Sequence, residues 1–351
     1  MTTDAAGAPG SLMTAEMADQ PQVLAALAGR REELVAHVRE AVGAPPVGIV
    51  LVARGSSDNA AVFGRYVLEL ATRRPVALAA PSLVTRYGVQ DDLAGWLAVG
   101  VSQSGKTPEI VSVLESFGAA GARTVAITND RESPIAAVAQ ATIDTAAGHE
   151  RAVPATKTVT SQFAAFALLA EAVARDGAAL PWDGDAWAAL PGAIGTILAD
   201  GAPAAAAAEA IGDAQGLVAI ARGLLLGAAL EAALKLKEMT GILAEGASAA
   251  DFLHGPIAVV RRELPVLTLA GGGPAAADVE EFAAAARARG GRVLTIAPNT
   301  TADLPLPAEL PEGLASIGAI VRAQQLARAV SLQRGINPDT PFGLSKVTET
   351  H

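Results

Sequence analysis

In the stretch ALKLKE, residues 233–238, Lys235 and Glu238 stand three apart, so on a helix they share one face. A carboxyl group held beside an ammonium is an arrangement suited to shuttling a proton near neutral pH. The apolar flanks AALEAAL and MTGIL predict that this helix is buried on several sides. Desolvation and a neighbouring ammonium pull a carboxyl group in opposite directions, so the sequence leaves its resting protonation open. The plainer alternative is an exposed ion pair of little energetic weight. His254 lies in DFLHGPI, where Gly255 and Pro256 impose a turn, and is either a structural histidine or a second proton carrier. Lys346 sits in NPDTPFGLSKVTETH, a Pro- and Gly-interrupted tail. Such a tail is solvated unless it docks back, in which case it brings an amine to a site.

A second stretch speaks of phosphate. Residues 100–107, GVSQSGKT, satisfy the nucleotide-binding pattern G-x-x-x-x-G-K-[ST], with Lys106 and Thr107 in the phosphate and magnesium positions and Asp130 as the second acid. The same residues suit any phosphate, because a strand end followed by hydroxyls and a helix start offers N–H groups and a positive helix end. Val99 and Val101 alternate like strand residues, which predicts a loop too short for a nucleotide.

The composition narrows the classes. With 51% apolar and 18% charged residues the chain is globular, and its 351 residues are enough for two domains. A net charge of −10 argues against nucleic acid as a partner. There is no cysteine, which excludes disulfides, thiolate metal sites and a thiol nucleophile. His37, His149, His254 and His351 are too scattered for a metal cluster. No signal peptide and no run long enough to span a bilayer is apparent, so the expectation is a cytoplasmic protein with no membrane partner. Of the 26 basic residues only Lys106, Lys157, Lys235, Lys237 and Lys346 are lysine. In a chain that otherwise favours Arg, a retained lysine is a candidate for a task a guanidinium cannot do.

These residues must be held by repeating strand–helix units, which predict an α/β fold with mostly parallel sheets. GIVLVARGSSDNAAVFGRYVLEL (48–70) aligns without gaps on GLVAIARGLLLGAALEAALKLKE (216–238), an offset of 168, and GARTVAITN (121–129) matches GGRVLTIAP (290–298). We therefore expect two copies of one domain, joined by GDAWAALPGAIGTILADGAPA (184–204). The boundaries expected are a flexible leader over 1–19, a first domain over 20–180, a second over 181–340 and a closing tail over 341–351. The copies differ in their loops: the first carries the hydroxyls, while the second has AGGGP and the Lys–Glu helix.

RGSSDNA (54–60), SQSGKT (102–107), ATKTVTSQ (155–162), ALKLKE, LHGP (253–256) and GLSKVT (343–348) together resemble the sugar isomerase (SIS) domain family, across about residues 20–350. The resemblance is to its tandem members, nearest to the second type of glucosamine-6-phosphate deaminase and also to the isomerase half of glucosamine-6-phosphate synthase. It implies a flavodoxin-like three-layer sandwich in each copy. Gly55, Ser56, Ser57, Ser102, Gln103, Ser104, Thr107 and Val153 would bind the sugar phosphate. His254 would open the ring, reaching across a homodimer interface. Glu238 would carry the proton between C2 and C1 beside Lys235, and Lys346 would lie over the open chain and form an imine with a ketose. Neither a metal nor another cofactor is implied. The substrates implied are a hexosamine 6-phosphate and fructose 6-phosphate, with galactosamine or fructosamine phosphates and a non-catalytic sensor as alternatives. Ala155 and Asp251 replace a serine and a glutamate of the synthase pattern. The synthase's glutaminase domain and its cysteine nucleophile are not expected here.

Overall fold

Runs such as IVLV (49–52), LAVGV (97–101) and TVAIT (124–128) lack the apolar–polar alternation of a half-exposed strand, and they are buried along their length. Strands of this kind belong to parallel sheets covered on both faces. The computed structural model of the protein describes residues 8–346 and places these runs in one of two compact units.

The first unit comprises residues 22–148 and 158–188. Its strands are β1 (Ile49–Val52), β2 (Val76–Leu78), β3 (Leu97–Val101), β4 (Arg123–Thr128) and β5 (Ala141–Asp144), in the order β2-β1-β3-β4-β5, with every pairing parallel. Val52, Ala98, Ala126 and Ile135 pack with Ile110, Val113 and Phe117 of the helix Pro108–Ala119.

The second unit comprises the described residues 8–21, 149–157 and 189–346. It carries β6 (Gly216–Ala221), β7 (Leu243–Ser248), β8 (Pro265–Leu269), β9 (Arg292–Ala297) and β10 (Leu304–Pro305), in the order β7-β6-β8-β9-β10 and again wholly parallel. Val218, Ile220 and Val266 form its core with Phe252 and Phe282, whose rings meet edge to face at 5.7 Å. The two orders are the same, and β3 precedes β8 by the expected offset of 168 residues. The duplication read in the sequence is thus a duplication of topology: two tandem doubly wound α/β domains. In each, the strand order reverses between the first and third strands, and ligands of such sheets bind at that point on the carboxyl edge.

Three expectations about organisation need correction. Within the stretch read as a leader, Ser11–Ala18 is a helix with Met13, Glu16 and Met17 buried; residues 1–7 lie outside the described set. The helix is fixed at its start by the distant tail: Gly10 N–H donates to Asn337 Oδ1 at 3.0 Å, and the N–H groups of Leu12 and Met13 donate to the Asp339 carboxylate at 3.1 and 2.8 Å. The joining stretch 184–204 is not a linker but part of two helices, Gly184–Ala199 and Ala202–Ile211, because its alanines favour helix strongly. The loop 149–157, placed by the sequence in the first domain, belongs to the second unit. Among the described residues no single helix is long and apolar enough to cross a membrane.

Asp339 is buried and satisfies two of the N–H groups that every helix start leaves without an intrahelical partner. Asp339→Ala is expected to destabilise the protein by about 1–3 kcal/mol, read as a lower urea midpoint, with Asp339→Asn intermediate.

Candidate functional site

The carboxyl edge of the first sheet collects the predicted phosphate residues. β1 runs into Arg54 and Gly55, and β3, its neighbour, runs into Ser102–Thr107, so the two loops flank the reversal point. Gly55 adopts φ +59°, a conformation other residues resist, and its carbonyl accepts from Asp58 and Asn59 as the helix Ser56–Thr72 begins. Ser56 is half-buried at the helix start. Ser57 is buried, and its hydroxyl oxygen accepts from Gln162 Nε2 at 3.0 Å.

In the neighbouring loop, Gly105 at φ +64° is pressed so close to Ser133 that a Cβ would lie 2.1 Å from its hydroxyl. That turn folds the loop back on itself. Ser102 Oγ comes 3.4 Å from Thr107 Oγ1, and the Ser104 hydroxyl oxygen accepts from Lys106 N–H. The backbone N–H groups of Gln103, Ser104 and Thr107 donate to no protein acceptor among the described residues. Thr107 caps the following helix in position only, without a side-chain bond, and Pro108 is its first residue. The loop therefore offers hydroxyls, open N–H groups and a helix N-terminus to an anion. Glu109 would repel that anion, but Arg54 holds its carboxylate at 3.0 Å, tying the two loops together. The nucleotide reading does not survive. Six residues separate β3 from Pro108, and Lys106 is 65% exposed, 4.0 Å from Asp130.

The second unit gathers charge instead. On the helix Leu226–Thr240, Lys235 is 1% exposed, with Glu238 at 2.5 Å and the fully buried Glu231 at 3.4 Å. Burial works to lower the Lys235 ammonium, but Glu231, Glu238 and, further off, Glu150 outweigh it, so its pKa lies above the usual lysine range. Lys235 therefore stays charged and forms a fixed cation beside Glu238, the more exposed of its two carboxylate neighbours. Glu150, a member of the same charge cluster, accepts at Oε1 from the Thr156 N–H and hydroxyl, and at Oε2 from Lys346 Nζ at 2.6 Å. Beside it, Glu16 accepts from the N–H groups of Arg151 and Ala152. Burial, aided by the Glu150 charge, raises the Glu16 carboxyl above its ordinary value, although those two N–H groups act the other way.

Lys235, Glu238 and Lys346 thus share one charge cluster through Glu150. Val153 lies in the loop 149–157 of the second unit, where its N–H donates to Asp339 O. His254 is exposed in the turn after the short helix Ala249–Leu253, outside the Lys235 cluster of its own chain. In the second sheet, the loop after β8 is closed by a carboxylate. Glu312 lies so tightly against Gly271 and Gly273 that a Cβ on Gly273 would fall 1.8 Å from its oxygen.

These features match known proteins. The SIS domain sequence model matches residues 47–172 and 211–309, the two sheet-bearing repeats. The chain belongs to the SIS domain family. Within it, the chain is 33% identical over 359 residues to a glutamine–fructose-6-phosphate aminotransferase (isomerizing) of Gloeobacter violaceus and 30% identical over 350 residues to that of Pyrococcus horikoshii. Each match takes in 95% of this chain but only 58% and 57% of those proteins, so the chain spans little more than half their length. A Silicibacter pomeroyi SIS-fold structure, provisionally assigned as a phosphosugar isomerase, superposes with a TM-score of 0.80 at 33% identity over 93% of this chain and 99% of that one. The glucosamine-6-phosphate deaminase of Thermotoga maritima shares the fold, with a TM-score of 0.77 at 22% identity over 97% and 100% of the two chains.

Sequence reasoning missed Glu150, Glu231, Glu16, Arg54 and Gln162 in this SIS frame. Glu231 alone carried a local signal, four residues before Lys235; the others gain their roles through contacts between distant segments. Lys235→Met leaves Glu231 buried without its cation and is expected to cost about 3–5 kcal/mol of stability in denaturant unfolding. Burial also raises the Glu312 carboxyl. A carboxyl raised in the folded state binds its proton more tightly there, so its stabilising contribution is present at low pH and is lost as pH rises through the folded value. Unfolding free energy should gain from both groups as pH falls from about 7 toward about 5, and Glu16→Gln and Glu312→Gln should each flatten that gain.

Proposed function

We propose that the protein is a glucosamine-6-phosphate deaminase of the isomerising type, producing fructose 6-phosphate and ammonia. The observation that carries this reading is the Lys235–Glu238 pair: a carboxylate beside a buried, permanently charged ammonium on a rigid helix. The names of the Gloeobacter violaceus and Silicibacter pomeroyi relatives place similar chains among enzymes that isomerise sugar phosphates.

In this reading Ser57, Ser102, Gln103, Ser104 and Thr107 take the phosphate, with Gly55 and Ser56 shaping the adjoining loop. His254, exposed in its turn, opens the pyranose ring in the site of a second copy, so the working form is a homodimer. Ring opening exposes the C1 aldehyde and makes the C2 proton acidic. Glu238 removes that proton and returns it to C1, while Lys235 stabilises the negative charge that develops on oxygen. The product is an imine at C2, and water adds across it to release ammonia and leave the ketose. Lys346 lies over the open chain, where its amine addresses the ketose carbonyl. Proton transfer by a placed carboxylate contributes roughly 10²–10⁴-fold. The chemistry calls for neither metal nor organic cofactor.

The test is incubation with glucosamine 6-phosphate, galactosamine 6-phosphate and fructosamine 6-phosphate, measuring ammonia and fructose 6-phosphate. Turnover of the first is expected; turnover of only another would move the substrate, and binding without turnover would make the protein a sensor. Glu238→Gln should reduce kcat by about 10²-fold or more with little change in KM. Ser104→Ala and Thr107→Ala should raise KM, whereas Lys106→Ala should leave both constants nearly unchanged.

A further inference from the structure

We propose that Glu150 is a positioning residue, the anchor that holds the Lys346 amine and with it the carboxyl-terminal tail in the docked place. Its two oxygens are divided between two tasks. Oε1 is taken by the Thr156 N–H and hydroxyl, which fixes the carboxylate within its own loop, and Oε2 faces Lys346 Nζ at 2.6 Å. The Glu150 side chain is wholly buried, whereas Lys346 keeps 23% of its side chain exposed, so the anion is the built feature and the amine is the visitor.

Hydrophobic packing does little to dock the tail. Phe342 is fully exposed and Leu344 nearly half exposed, although both precede the docked amine by only a few residues. The chain is pinned upstream at Asn337 and Asp339, leaving a short strap from there to Lys346. Taking a directly bonded ammonium from a buried carboxylate is costly, and Glu16 adds a second acidic group beside this one. The loop 149–157 therefore draws the amine in, and the strap follows. Glu150 also contributes to the field at Lys235, so the same carboxylate connects the tail with the proton-transfer helix. Its consequence for turnover rests on the function proposed above; the anchoring does not.

The test uses the intact protein and two separate readouts. Amine acetylation by a limiting N-hydroxysuccinimide ester, followed by mass spectrometry, measures Lys346 reactivity in the absence of any substrate, with exposed Lys237 as the internal standard. Glu150→Gln should raise the rate at Lys346 by roughly 10- to 100-fold relative to Lys237, the scale of a lost charged hydrogen bond, and Glu150→Asp should recover part of the protection. Chymotryptic cleavage after Phe342 should quicken in both Glu150→Gln and Lys346→Met, and the double variant should be no faster than either, as expected if both break one contact. Equal acetylation of Lys346 and Lys237 in the wild type, or additive cleavage in the double variant, would overturn the proposal. Turnover is then read on its own: with glucosamine 6-phosphate, Glu150→Gln should lower kcat with KM little changed. Increased labelling with unchanged kcat leaves the anchor standing and removes Lys346 from the mechanism instead.

Discussion

A carboxylate taken out of water must find a cation or several N–H groups, and in the second unit that requirement organises the chain. Glu150 and Glu16 are both buried, and each solves the problem with groups from far along the sequence. Glu16 takes the backbone N–H groups of the 149–157 loop, so the amino-terminal helix must lie under that loop. Glu150 takes the Lys346 amine, so the tail must come to it as well. Asp339 completes the arrangement, accepting from the start of the same helix and giving its carbonyl to Val153 N–H. Lys157 closes the loop with Asp19 at 2.8 Å, and Gln324 accepts from Gln20 and donates to Thr156 O. The helix Ser11–Ala18 and the segment 337–346 are thus brought to one loop by the need to satisfy buried polar groups.

The duplicated sheets show how one frame is turned to two uses. Both have the same strand order and the same reversal point, where a loop rich in small residues leaves room for an anion. In the first sheet that loop presents Ser102, Ser104 and Thr107, with open N–H groups. In the second, Gly271 and Gly273 leave space that the protein fills with its own Glu312 carboxylate. The second repeat carries no hydroxyls there, and its charges are gathered on the helix Leu226–Thr240 instead.

Topology was legible because it rests on local patterns repeated twice. Unalternating apolar strands, glycines at the turns and a constant offset each point to the same parallel sheet without knowledge of any distant contact. The place of the hydroxyl-bearing loop after β3 was legible for the same reason, since its hydroxyls lie within six residues of one another. The buried network was not. Ser11–Ala18 carries little amphipathic signal, because its burial depends on an asparagine and an aspartate more than 300 residues away. Glu150 reads as one more polar residue in GHERAVPATK, and nothing local marks it as an amine's partner.

The retained lysines carry the argument one step further. Where the chain can use arginine it does, yet three of its five lysines are ion-paired with carboxylates and largely shielded from solvent: Lys157 with Asp19, Lys235 with Glu231 and Glu238, and Lys346 with Glu150. A guanidinium is wide and planar and spreads its charge over five donors, whereas an ammonium is compact and can sit between two carboxylates on successive turns of one helix face. At Lys235 the compactness sets the geometry, since residues three and four away on the same face must both reach the one nitrogen. At Lys346 it has a chemical consequence as well, because a primary amine can become a nucleophile and a guanidinium in a protein cannot lose its proton. Lys106, the residue that makes the loop spell a nucleotide site, lies outside this set: it is exposed, and it meets the part-exposed Asp130 only at 4.0 Å.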